Sequence, residues 1–492
     1  MILFSLLPGQ DIGALSASRH VGSTILERLA DGFSYECTCE SFVDSGSGSK
    51  SADEHFSSWG AHQLTYLREG FMMVLSTRLP LIVQCLLSLF VTTSLSAPII
   101  ITRETFKTCR RGAFNGVPAD CCPPKFIQGP IVDFSPKYNP SKPLRVRKAL
   151  QCLTGKELTI YTEKLQRGYA LMRALPDDDP RSFKRQNEIH CAYGTGPFIQ
   201  NASANLTLDI HLNWFFLPWH RMFIYFHEKI LQTLLKDPNF TLHFWNFDSS
   251  VTLSTSERPG CFKAGHFFPP MYLDPSKSTF EPNRTYRAFE PSRPVDLSFD
   301  ATQWNPLGGV PPVFPNYTLE EQVWRNGATM YKSVVSSSNA SSFIGKPFRA
   351  GDVQIVDPTI AAGNSEKWPH ISVHMWIGGL MYLAQTSPRD PIFYHLHANV
   401  ERIWDLWHKL GDGRADPSDP DWLDAEFLIW DEKKVMRRVK VRNVLDIKTL
   451  GDTFENVNDA SWICFQNSTS TTPSNCSSTK TSMYQSRSDC HK

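Results

Sequence analysis

Hydrophobic and polar positions alternate with helical spacing in five separate stretches. From Pro143 to about Ala174 the pattern is helical, and Leu175-Pro-Asp-Asp-Asp179-Pro180 breaks it. Asp179 is placed as an N-cap with Pro180 at the first helical position, opening a second helix that carries His190 near its end. The densest apolar run is Leu208–Leu231, LDIHLNWFFLPWHRMFIYFHEKIL, which holds His211, His220 and His227 among Trp and Phe. Pro218 suits the first turn of a helix reaching about Leu235, with His220 on it and His211 on a segment before it. A fourth helical signal begins near Pro369 and puts His370 and His374 at i and i+4, on one face. In the fifth, Asp390-Pro391 reads as N-cap and first residue. Phe393, His397, Val400, Trp404 and His408 follow as a helical stripe before Gly411. Residues 99–142 and 249–320 lack periodicity; the latter reads as a long surface excursion. No solenoid-type repeat is present, and the fold class expected is mainly α, with long loops and a few short strands.

Composition narrows the functional classes. With 492 residues, 41% hydrophobic, 12% aromatic and a formal net charge of +1, the chain can build a large core. Nothing in its charge points to nucleic acid or an anionic membrane. Met73–Arg78, the apolar run Leu79–Val91 and the small residues to Ser96 form a signal-peptide pattern over 72–96. Residues 1–71 then read as an upstream extension; the rival is a signal anchor over Leu79–Ile101. Asn-x-Ser/Thr triplets begin at Asn201, Asn205, Asn239, Asn283, Asn316, Asn339, Asn467 and Asn475. Nine cysteines follow Ser96 without zinc-type C-x2-C pairs, so disulfides are expected, with one thiol left over. Together these point to a glycosylated protein of the secretory pathway, vacuolar or extracellular, rather than of the chloroplast lumen, with no stable membrane insertion once the signal is removed.

The histidines carry the chemistry. His190, His211 and His220 form one group, and His370, His374 and His397 another. A single histidine in an apolar setting is more often a hydrogen-bonded core residue than a ligand. Six of them on or beside four helices, without thiolates, suit copper or zinc held inside a bundle. The H-E-x-x-H run of a zinc hydrolase is absent, the stretch being His-Ile-Ser-Val-His.

Longer motifs resemble a known family. Asp177-Asp-Asp-Pro-Arg-Ser-Phe183, Glu188-Ile-His-Cys-Ala-Tyr193 and Ile210-His-Leu-Asn-Trp-Phe-Phe-Leu-Pro-Trp-His-Arg221 are similar to plant polyphenol oxidases, as are Phe244-Trp-Asn-Phe-Asp248, Arg389-Asp-Pro-Ile-Phe-Tyr394, His397-Ala-Asn-Val and Asp419–Leu428. The resemblance covers about residues 109–460. It implies a four-helix-bundle type-3 dicopper core, with His190, His211 and His220 holding one copper ion and His370, His374 and His397 the other. The activity implied is catechol oxidase: o-diphenols become o-quinones while O2 is reduced to water, with weak monophenol hydroxylation as an addition. An aurone-type pigment enzyme of the same chemistry also fits. The partners implied are a small phenolic substrate and O2; the oligomeric state is not legible.

The same resemblance assigns roles beside the ligands. Glu366 corresponds to a glutamate that orients a water for deprotonating monophenols. Ile371 stands where hydroxylating relatives often carry Asn, which leans the chain toward diphenols. Ile371, Met375 and Ala384 would line the substrate pocket, Ala384 being the nearest match to a Phe that often covers the second copper. Cys109 would pair with Cys122, and Cys121 with Cys191. His227, His243 and His408 are expected to be structural. Four departures stand out: Gly194 replaces a cysteine that tethers the second ligand, Leu396 replaces a histidine, the span from His374 to His397 is short, and the sequence given stops before a C-terminal covering domain, either because it is a piece of a longer chain or because the protein is made without that cover. Gly194 leaves His211 expected as the least firmly held ligand. The layout expected is an arm over 97–142, the dicopper domain over 143–412, a post-core segment over 413–462 and a Ser/Thr-rich tail over 463–492. The alternatives are an oxygen-binding type-3 protein and a catalytically degenerate one.

Overall fold

A computed structural model describes residues 97–114, 117–120, 129–200, 206–249, 265–299, 313–355, 357–457 and 460–465. The upstream extension, almost all of the apolar N-terminal run, Cys121, Cys122 and the tail from 466 lie outside the described residues. Among the described residues the fold is mainly helical, with three small sheets. The principal helices are α1 (Gly155–Arg173), α2 (Phe183–Gly194), α3 (Phe216–Leu235), α4 (Leu319–Met330), α5 (Ile371–Ile377) and α6 (Ile392–Lys409).

The apolar patterns explain their placement. On α1 the buried residues Tyr161, Leu165, Gly168, Tyr169 and Met172 form one face, which packs on α3. From Phe216 to Gln232 every residue of α3 except Tyr225 and Lys229 is buried, so it is the central helix. It lies between α1 and α6, and α6 is itself buried continuously from Ile392 to Trp404. Pro218 occupies the third position of α3 rather than the first. That place costs nothing either, because the first four helical N–H groups have no partner within the helix.

Two expected boundaries move for identifiable reasons. Ser182, not Asp179, caps α2, its side chain accepting from Arg185 N–H. The Asp179 carboxylate is committed elsewhere, to Arg181 at 2.8 Å and to Lys434 at 2.8 Å. The helix expected from Pro143 starts only at Gly155, because Arg145–Arg147 forms strand β4 and Leu150–Cys152 a 3-10 turn. The stretch 249–320 is also more than surface. Phe268, Met271, Tyr272, Val295 and Leu297 from its described part are buried, in irregular spacing that no periodic pattern detects. Among them, Arg284 forms a fully buried bidentate pair with Asp390 at 2.6 and 2.7 Å, just ahead of α6.

The strands join the two ends of the described chain. β5 (Glu426–Trp430) and β6 (Met436–Lys440) are an antiparallel hairpin, and β3 (Val132–Asp133) adds parallel to β6 with Val132 opposite Arg437. β4 pairs parallel with β7 (Asp452–Phe454), Arg145 opposite Asp452. β1 (Gly112–Phe114) and β2 (Val117–Ala119) form a separate hairpin. Cys109, Cys152 and Cys191 are each disulfide-bonded. No helix among the described residues is long and apolar enough to cross a membrane.

Candidate metal centre

Each of the six histidines comes from an element whose local sequence fixes its direction. His190 lies on α2 and His220 on α3. His211 sits in the turn-rich segment ahead of α3, His370 directly precedes α5, His374 lies on α5, and His397 on α6. The structure gathers them into two buried sets, His190/His211/His220 and His370/His374/His397. Within each set the ligand nitrogens lie within 4.8 Å of one another. The sets abut: the His220 and His397 rings stack at 4.2 Å with 6° between their planes.

Backbone carbonyls set the ring orientations. His190 Nδ1 meets the Ala384 carbonyl at 2.9 Å, His220 Nδ1 the Phe216 carbonyl at 2.7 Å, and His374 Nδ1 the Met381 carbonyl at 2.9 Å. An imidazole that donates from Nδ1 keeps Nε2 as its lone-pair nitrogen, which points inward as a metal ligand. The Nε2 atoms of His190 and His220 converge to 3.2 Å. Those of His370, His374 and His397 are buried without a hydrogen-bond partner, the signature of nitrogens awaiting something other than protein. Ala384, expected to line the approach to the second set, thus lends its carbonyl to a ligand of the first. The Met381 carbonyl reaches His374 because Gly378 and Gly379 (φ +70 and +58) turn the chain back after α5. A Cβ on Gly379 would lie 2.1 Å from the Asn283 carbonyl oxygen.

Electrostatics favour neutral ligands. Burial, reinforced by neighbouring imidazoles, lowers the pKa of His190, His220, His370 and His397 well below the usual histidine range. Burial lowers His374 to about 4. His211 differs: burial pushes it down, but Asp209 at 3.2 Å outweighs that and holds it above the ordinary value. Burial raises Glu366 to about 8, and both its carboxylate oxygens accept from Leu212 N–H at 2.9 Å. Six imidazole nitrogens without a thiolate in either set fit a pair of copper ions.

Two phenylalanines pack against both histidine sets. Phe393 packs on His397 at 4.1 Å and on His190 at 5.0 Å, touching both sets. Phe216 does the same from the other side, at 4.6 Å from His370 and 4.8 Å from His220. Each lies four residues before a ligand on its helix, a spacing visible in the sequence. Ile371 is half-buried and Met375 buried on α5. His227 stacks on Tyr394 at 3.5 Å, His243 on Tyr161 at 4.2 Å, and His408 bonds Asp416 at 3.0 Å; none belongs to either set. Asp248 went unremarked as a residue, although its motif did not. It accepts from Asn399, Arg402 and Trp462, bracing α6 two residues beyond His397.

The comparisons agree with this geometry. The family model for the common central domain of tyrosinase matches residues 180–410, and that for the polyphenol oxidase middle domain matches residues 416–467. The chain is 38% identical over 360 residues to a chloroplastic polyphenol oxidase of Malus domestica, covering 71% of this chain and 54% of that protein. It is also 38% identical over 352 residues to aureusidin synthase of Antirrhinum majus, covering 69% and 56%. Among solved structures, that of Grenache (Vitis vinifera) polyphenol oxidase superposes with a TM-score of 0.62 at 35% identity, covering 74% of this chain and 99% of that one. The chain spans about half the length of the curated relatives it matches.

One expectation is overturned. The Malus domestica and Vitis vinifera relatives are named chloroplastic, which points to the chloroplast and away from a vacuolar or extracellular address. Three of the four triplets within the described residues contribute a side chain to local folding. Thr318 and Asn339 each cap a helix, and Thr285 donates to the Trp376 carbonyl at 2.7 Å. With two adjoining three-histidine sets and these relatives, the chain belongs to the plant polyphenol oxidase family of tyrosinase-type dicopper proteins.

Proposed function

We propose that the protein oxidises o-diphenols to o-quinones with O2 as the electron acceptor, two diphenols and one O2 giving two quinones and two waters. The observation that carries this is the contact between the two all-imidazole sets through His220 and His397. A copper pair bound there would exchange two electrons at a time with O2 and with the phenol.

The chain's own residues supply the rest. His190, His211 and His220 hold one ion, and His370, His374 and His397 the other; the carbonyls of Ala384, Phe216 and Met381 fix their rings. Phe216 and Phe393 exclude water and offer aromatic faces at the metal pair. Ile371, Met375 and Ala384 line the approach of a flat phenolic ring. Glu366 is a buried carboxylate beside the site that can take a proton released by the phenol. With Ile371 next to His370 there is no side-chain amide to orient a water there, so diphenol oxidation outweighs monophenol hydroxylation.

The test is O2 uptake by the full, copper-loaded chain given a catechol, with copper per chain measured alongside. Two coppers and catechol-dependent uptake are expected. Two coppers without uptake would overturn the oxidase reading in favour of an oxygen-binding or degenerate protein.

A further inference from the structure

His211 is the ligand with the least regular surroundings. It lies on no helix, and Gly194 beneath it offers no side chain: a Cβ there would come within 2.5 Å of His211 Cε1. Leu212, the next residue, has φ +58, a left-handed conformation that residues with a Cβ avoid. A loop in such a conformation must be held from outside.

The structure shows what holds it. The peptide plane between His211 and Leu212 is gripped on both edges. On one, the His211 carbonyl accepts from Gln354 Nε2 and from Asn213 Nδ2, each at 2.9 Å. On the other, Leu212 N–H donates to both oxygens of Glu366 at 2.9 Å. Asp209 Oδ1 accepts from His211 N–H at 2.8 Å and faces its ring at 3.2 Å. Glu366 and Gln354 come from segments more than a hundred residues away, and Glu366 is only 1% exposed. Committing a buried carboxylate to one backbone N–H is costly unless that N–H must be held. Glu366 also opens the five-residue segment, kinked at Trp368, that ends at His370. The grip therefore ties the loop bearing a ligand of the first set to the segment bearing a ligand of the second.

We infer that Glu366 and Gln354 are positioning residues for His211, a noncovalent clamp that sets the copper affinity of the first site in the absence of a tether at Gly194. The inference rests on the first histidine set holding copper and not on which phenol is oxidised. Loss of a group that orients a metal ligand typically lowers affinity about 10–100-fold.

The experiment measures copper per chain and affinity by chelator competition in Glu366→Ala, Glu366→Gln and Gln354→Leu, and hydrogen exchange across 208–214 in the metal-free proteins. Glu366→Gln keeps an acceptor for Leu212 N–H but is no base. It is expected to retain two coppers near wild-type affinity. Glu366→Ala and Gln354→Leu are expected to lose affinity for one copper by about tenfold or more, with faster exchange at 208–214 and unchanged exchange in α1. A purely catalytic Glu366 would leave copper affinity and exchange unchanged in Glu366→Ala, and that result overturns the inference. So does a Gln354→Leu variant that binds both coppers normally, or a Glu366→Gln variant that falls as far as Glu366→Ala. Should Glu366→Ala not fold, Gln354→Leu carries the same test alone. None of these readouts depends on phenol turnover, so a failed oxidase reading and a failed clamp give different results.

Discussion

Arg147 offers the sharpest test of how the scaffold is held around the histidines. Its guanidinium is 1% exposed and lies 3.3 Å from Glu401, 3.3 Å from Glu228 and 3.7 Å from Asp452. Those carboxylates are equally buried, on α6, α3 and β7. Arg145 reaches Asp452 at 2.8 Å and Glu228 at 3.5 Å, and Arg221 reaches Glu401 at 3.5 Å. Three guanidiniums thus face three carboxylates, and Arg147→Met leaves two against three at nearly unchanged volume. Removing one partner from a buried ionic cluster costs about 3–5 kcal/mol, mostly because the remaining charges cannot be solvated. Burial already pushes the Glu401 and Asp452 carboxyls above their usual range, and Arg147 pulls both back down. Without it they are pushed further up, so the folded variant holds protons that the unfolded chain releases. Its stability should be greatest at acid pH, within the ordinary carboxylate range, and should fall as pH rises toward the folded values. Urea midpoints of wild type and variant at pH 5 and pH 8 check this. The deficit should be larger at pH 8, and the added Glu401→Gln change should recover part of it. A deficit under about 1 kcal/mol, or one equal at both pH values, would show that the cluster is solvated in solution and that the argument from burial fails.

Two further perturbations probe the scaffold and the pocket. Asp179 is buried; burial opposes its charge, but Arg181 and Lys434 outweigh that and hold its carboxyl well below the usual range. Its contribution is therefore present above about pH 4 and lost as pH falls through the folded value. Asp179→Asn should cost about 2 kcal/mol at pH 7 and progressively less below pH 4; a cost independent of pH would refute the charge-based account. Replacing Ile371 with Asn restores a side-chain amide beside His370. It should raise the ratio of monophenol to diphenol activity about fivefold, the worth of one hydrogen bond near 1 kcal/mol. An unchanged ratio, measured with matched mono- and diphenols, would count against Ile371 as the determinant.

What the sequence revealed and what it hid divide along sequence separation. The i,i+4 pair His370/His374, the stripe from Phe393 to His408 and the breaking prolines are local signals, and α5, α6 and α3 follow them closely. Asp179 is not the helix cap because the cap rule considers only the next few residues, whereas its partner Lys434, 2.8 Å away in space, lies far along the chain. Arg147 meets Glu401 across 254 residues, and the Ala384 carbonyl fixes His190 across 194. No periodicity reports such pairs, because nothing in one partner's neighbourhood changes when the other is present. The aromatic plates lie between these cases. Phe216 and Phe393 each stand one turn before a ligand, so their position was legible, but only the packing shows that each touches both sets.

The same division revises the standing of His211. From local sequence it is the weakest ligand, placed ahead of its helix with a glycine where relatives carry a tether. In three dimensions its backbone is among the most heavily bonded in the site, held by Asp209, Asn213, Gln354 and Glu366. A covalent tether fixes one ring atom to one neighbour. Hydrogen bonds to the peptide on either side fix the direction in which the whole side chain leaves the backbone, while the ring keeps its own contact with Asp209 at 3.2 Å. That arrangement is compatible with Gly194, and it gives the Glu366 carboxyl a positioning role in addition to the base role proposed for it. Glu366, which steadies the first histidine set, lies four residues before His370 of the second, so the two sets are linked through protein.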